Sequence, residues 1–139
     1  MPSKSETNIH KGTREHLYEY AVVRFVPSIE RDEAINIGLV MMCKRLGWVN
    51  VRFLLNLERI RILSPDYDVE TLENQIKGFE RVARGNSKEG GVIAGLEAHE
   101  RFRWITAVKS ACLQTSRPHA GLTTDLDGTF DKLFSTLVE

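Results

Sequence analysis

The chain has 139 residues, 42% hydrophobic and 27% charged, which is the length and composition of one globular domain. Lys plus Arg total 19 and Asp plus Glu total 19, so the formal net charge is zero. That balance argues against a general nucleic-acid binder, which carries a basic excess, and against a polybasic membrane anchor. No apolar run approaches the roughly 18 residues of a membrane span. The stretch Met1–Lys11 lacks the apolar core of a signal peptide.

Residues 1–15 are polar and read as a flexible leader, with a single α+β domain over 16–139 and structure beginning near Leu17. Tyr18–Val26 is rich in Tyr, Val and Phe and is closed by Pro27, the signature of a strand. Ile35–Cys43 is almost wholly apolar, interrupted by Asn36 and Gly38, and fits a strand buried on both faces, with a buried helix as the alternative by periodicity. After the Lys44–Gly47 turn, Trp48–Leu55 alternates apolar Val49, Val51, Phe53 and Leu55 with polar Asn50 and Arg52, the second arm of a hairpin. Three strands joined by short loops predict an antiparallel meander. Asn56–Leu63 fits a helical turn or a strand.

Ser64-Pro65-Asp66 has the pattern of an N-cap and a helix-start proline. Leu72, Ile76, Phe79 and Ala83 follow at helical spacing, and Gly85 supplies the stop. Asn86–Gly91 reads as a loop and Glu100–Ala107 as a short helix or irregular segment. Ser110–Thr115 is a fourth strand. Thr124 or Asp125 caps a last helix with apolar Leu126, Phe130, Leu133, Phe134 and Leu137. Strands first and helices after predict an α+β fold, an antiparallel sheet of about four strands with helices packed on one face.

Three stretches carry candidate chemistry. Glu30, Asp32 and Glu33 precede the buried strand, and Asn36 lies inside it, where an amide must find partners. Gly38 leaves room for a backbone, an aromatic ring or a ligand to approach. The functional reading places Glu33 and Asn36 in a polar site; the structural one has Asn36 tying a loop to the sheet. Arg101, Arg103 and Trp104 alternate charge with aromatic surface, a pattern suited to carboxylate, phosphate or protein-interface contacts. Its structural counterpart puts Phe102 and Trp104 in the core and the arginines in surface ion pairs. Between Ser110 and Gly121, Gln114 and His119 add polar groups, but the spacing matches no known nucleophile motif, and His119 reads as a loop residue.

Cys43 and Cys112 lie far apart in apolar segments and read as buried thiols of a reducing cytoplasm. Neither has a neighbouring Cys or His at zinc-ligand spacing, so no metal is expected, and no phosphate-binding loop or dinucleotide fingerprint calls for a cofactor.

The runs YAVVRFVP (Tyr20–Pro27), EAINIG (Glu33–Gly38) and ERFRWITA (Glu100–Ala107), with Ser110–Gln114, His119–Gly121 and Leu133-Phe134, resemble the bacterial family called domain of unknown function 3037. The similarity spans about residues 17–138. Asp32 stands where the family pattern leads us to expect Gly, and Val108 where we expect Pro. The resemblance supplies no catalytic residue. It implies a protein partner or regulator role, because members are often encoded beside a HipA-like kinase-fold protein. The first functional expectation is therefore a cytoplasmic protein-interaction or regulatory module. The alternatives are a small hydrolase acting on a phosphate-containing substrate, with Glu33 and His119 as acid and base, or a nucleic-acid module on the Arg–aromatic run. An edge position for Trp48–Leu55 would also offer pairing to a second copy or a partner.

Overall fold

The structure is a computed structural model that describes residues 11–28, 30–85, 95–107 and 112–139. The elements are β1 (Lys11–Phe25), β2 (Ile35–Cys43), β3 (Trp48–Phe53), α1 (Leu57–Leu63), α2 (Val69–Arg84), α3 (Ala98–Ala107), β4 (Leu113–Thr115), β5 (His119–Asp125) and α4 (Leu126–Leu137). β1 begins at Lys11, earlier than Leu17; residues 1–10 lie outside the described residues. The strands form one five-stranded sheet in the order β3-β2-β1-β4, with β5 also paired to β1. All pairings are antiparallel. The expected meander and α+β class are present.

β1 is paired along both edges. One edge carries β2, and the other carries first β5, opposite His16–Tyr20, and then β4, opposite Val23–Phe25. β4 and β5 thus follow one another along the same edge, broken at Ser116-Arg117-Pro118. Pro118 has no N–H to give to a ladder. Ser116 bridges the break from its other side: its backbone N–H donates to the Val22 carbonyl at 2.8 Å, and its Oγ accepts from the Val22 N–H at 2.9 Å.

Two apolar layers lie on opposite faces of this sheet, a difference from the expected covering of one face. Ala21, Val23, Phe25, Val40, Met42 and Val51 meet α2 and α3 through Leu72, Ile76, Ala83, Phe102 and Ile105. Leu39, Met41 and Cys43 meet α4 through Leu126, Phe130, Phe134 and Val138. Alternation along β2 requires this: its run Leu39–Cys43, apolar at every position, turns alternate side chains to opposite faces, and both sets must leave water. A bulge adjusts the alternation. Val23 pairs with Gly38 but Arg24 with Asn36, so Ile37 is the extra residue. It allows Ile35 and Ile37 before the bulge to share the α2/α3 face with Val40 and Met42 after it.

The helix boundaries have local causes. Ser64 closes α1, donating its N–H to the Ile60 carbonyl at 2.8 Å, and the N-cap of α2 is Asp68, which accepts from the Glu70 N–H. Asp68 therefore replaces the expected Ser64 signal. Gly85 ends α2 at φ 82°, a left-handed conformation open to glycine. Asp125 caps α4 as expected, accepting from the Gly128 N–H. Gly38 admits an aromatic ring: a Cβ there would lie 2.6 Å from the Phe53 ring, which packs edge-on against Phe79.

Asp32, which stands in place of an expected glycine, has φ 55°. The turn keeps a left-handed residue, and an aspartate pays the steric cost of its Cβ there. Asp32→Gly should raise stability by about 0.5–1 kcal/mol, read as a higher denaturant midpoint at unchanged slope. Val108 lies outside the described residues.

Candidate functional site

The sheet divides the sequence-derived candidates. Asn36, Gln114 and His119 lie on the α4 face, Arg101, Arg103 and Trp104 sit on α3 over the opposite face, and Glu33 is in the turn before β2. Gln114 and Asn36 flank Arg24 on either side, because Arg24 pairs with both. Arg24 is exposed and the two amides are half-buried.

Several of these residues are occupied by structural ties. Asn36 Nδ2 donates to the Leu137 carbonyl at 3.0 Å, holding the last turn of α4 to the sheet, where helix carbonyls lack intrahelical partners. Arg101 donates through Nε to the Ala83 carbonyl at 3.3 Å and through Nη1 to the Leu96 carbonyl. Its guanidinium lies against Gly85, so a Cβ at Gly85 would sit 2.7 Å from the Arg101 Cζ. This arrangement closes the C-terminal end of α2, and burial lowers the guanidinium pKa. Arg103 pairs with Glu19 of β1 at 3.4 Å across a mostly exposed contact. Glu33 accepts from Arg31 Nε at 2.8 Å, and this bond holds its carboxyl below the usual carboxylate range.

His119 opens β5, where it stacks at a tilt on Tyr20 with ring centroids 5.3 Å apart. It is a strand residue, a difference from the loop expected. Ile35, two residues after Glu33, pairs with Phe25, whereas His119 pairs with Tyr20. Five residues of β1 separate those pairs, roughly 17 Å of extended chain. Glu33 and His119 therefore lack the hydrogen-bond reach that shared acid–base work requires.

Trp104 has a different setting. It is 42% exposed and stands at the rim of a groove of about 290 Å³ between α2 and α3. Gln75, Gly78, Phe79 and Val82 form one wall, Ile105 continues from Trp104 on the other, and Leu113 and Thr115 of β4 lie beneath. The lining is almost wholly apolar, with Gln75 and Thr115 as its polar members. Sequence reasoning found Trp104 but assigned Phe79 only to the core. The available signal was Gly78 in mid-helix: its missing side chain widens the gap, and a Cβ there would meet only Arg81 Nη2, at 3.8 Å.

Behind the groove, Gln75 turns its Oε1 to the Cys112 thiol at 2.6 Å. Tyr67 also bonds Cys112, and burial pushes both the Tyr67 hydroxyl and the Cys112 thiol upward. Cys43 is buried on the other face. Among the described residues, no group of three or more His, Cys, Asp or Glu is placed to hold a metal ion.

Two outcomes test these assignments. Arg101→Ala should cost about 1–3 kcal/mol and Asn36→Ala about 1 kcal/mol in denaturant titration, because each strands helix-end carbonyls. Ellman's reagent at mildly alkaline pH should label neither thiol of the folded protein and both after unfolding, since both thiols are buried away from the reagent.

The comparisons with known proteins agree with the residue pattern. No curated protein and no solved structure matches the chain. The family model described as "Protein of unknown function (DUF3037)" matches residues 20–138, which takes in all of β2 to α4 and residues 20–25 of β1. The chain belongs to the DUF3037 family.

Proposed function

We propose that the protein is an interaction module, with the Trp104 groove as its recognition surface and a protein as its partner. The carrying observation is a half-exposed tryptophan at the rim of an apolar groove, beside an arginine. Tryptophan and arginine are the side chains most often found as interface anchors. A volume of about 290 Å³ falls at the low end of small-molecule pockets, and suits one or two inserted side chains of a partner. Arg103, next to Trp104 in the chain, forms an exposed pair with Glu19 and can exchange that carboxylate for one on the partner.

A HipA-like kinase, acting with this module in the cytoplasm, is the partner suggested by the family resemblance. Among the described residues, no helix is long and apolar enough to cross a membrane. No observation comparably favours a phosphate site, because Arg101 is spent on carbonyls and Glu33 on Arg31.

The test is retention of a co-expressed HipA-like kinase on the tagged protein. Wild type should hold the kinase. Trp104→Ala should release it by removing the anchor, and Gly78→Leu by filling the groove. Gly78→Leu also removes a mid-helix glycine, so it should keep or raise stability by about 0.5–1 kcal/mol. Loss of binding then cannot be assigned to unfolding. Equal retention by all three proteins would refute the assignment.

A further inference from the structure

The two long edges of the sheet are built differently. At β3, the Val51 N–H donates to Asn50 Oδ1 at 2.9 Å and the Val51 carbonyl accepts from Arg84 Nη2 at 2.8 Å. Side chains therefore occupy the middle of that strand and block the pairing to another chain that an edge otherwise invites. Among the described residues, no side chain is bonded to the backbone of Ala120–Thr124 in β5; the backbone that the Thr123 hydroxyl bonds is that of Asp125, at the strand's end. Among the described residues its strand partner is β1 alone. Its run Ala120–Thr124 contains no charge and no proline, and it pairs with β1 in unbroken register from His119 to Thr123. These are the features by which natural edges avoid association, and β5 lacks them.

β5 also carries exposed apolar surface. Leu122 is 60% exposed, and its cross-strand neighbour Leu17 is 61% exposed. The pair lies on the α2/α3 face but outside the apolar cluster that those helices cover.

We propose that β5 is the seam of a homodimer, in which two copies pair their β5 strands antiparallel about a twofold axis at Leu122. Self-complementarity selects a second copy as the occupant. In that register Leu122 faces its own twin, flanked by both copies of Leu17, and four exposed leucines become one buried cluster. Ala120 meets Thr124 of the other copy, and Gly121 meets Thr123. His119 comes opposite Asp125, and both side chains lie on the α4 face, so a ring N–H faces a carboxylate at each end of the seam. The cap bond from Gly128 uses one oxygen of Asp125, and a carboxylate has further acceptor sites. The same patch serves both copies, which is the requirement of a closed twofold interface. The two sheets become one continuous sheet.

Directly opposed residues at such an axis have Cα atoms about 4.5–5.5 Å apart, within disulfide range. Leu122→Cys, treated with a mild oxidant such as copper phenanthroline, should therefore give a covalent dimer on a non-reducing gel. Ile62→Cys, at a still more open position on α1, should stay monomeric. Sedimentation velocity of the wild type should show a dimer. Leu122→Lys should shift it to monomer, and His119→Asp, which opposes two carboxylates, should weaken it. A wild type that is monomeric at every concentration overturns the proposal. So does a Leu122→Cys variant that fails to cross-link, and so does a dimer that survives Leu122→Lys. If Leu122→Lys does not fold, by circular dichroism, the cysteine variant decides.

Discussion

The β1–β2 ladder is the constraint on which the rest of the fold depends. Phe25 and Val23 turn to one face and Leu39 and Met41 to the other, all essentially without solvent exposure. Over Ala21–Val23 and Ile37–Cys43 neither strand has a wet side, so the protein needs a helical layer on each face. α2 and α3 supply one layer and α4 the other, and neither layer has an apolar partner without the strands between them. The Ile37 bulge reconciles the two ends of β2 with this division, letting one strand serve the same core on both sides of a register change.

The same wall explains why polar residues that look like a site in one dimension do not form one in three. Asn36 and Trp104 each lie in a stretch whose residue types suggest chemistry, yet the sheet stands between them. A buried amide in a strand and an arginine at a helix end are costly unless they bond something, and here they bond the ends of α4 and α2. What is left for a partner is surface that the packing does not consume: a tryptophan beside the gap that Gly78 leaves between two helices, and an apolar pair on the edge away from β3. Both are by-products of how the helices cover the sheet. α2 and α3 meet imperfectly over β4, and they do not reach the Leu17–Leu122 pair.

Much of this was legible in the sequence where burial writes a period. β3 is legible from its alternation, β2 from an apolar run of strand length beside it, and the helix through Leu72, Ile76 and Ala83 from its spacing and its terminal glycine. The apolar positions of α4 were all foreseen. β5 was missed because an edge strand with Leu122 facing solvent and a glycine opposite Tyr18 has no alternation to detect. The short α1 hid the true N-cap of α2: Ser64 and Pro65 look like a start only if the preceding segment is not already a helix. The apolar run Leu39–Cys43 of β2 already calls for two covering layers, and the one-face arrangement neglects it. Of the site, Trp104 was legible as an Arg–aromatic pattern. The groove was not, because it depends on α2 and α3 being neighbours, which no local spacing records.

Native-state hydrogen exchange on the β1 and β2 amides tests the central claim most directly. If this pair holds both helical layers, the hydrogen-bonded amides of Tyr20–Phe25 and Leu39–Met42 should exchange only through global unfolding, with the free energy and denaturant dependence of the whole molecule. Exchange of those amides through a smaller opening, while α2 or α4 stays protected, would show that a helical layer stands without the strands and would contradict the account.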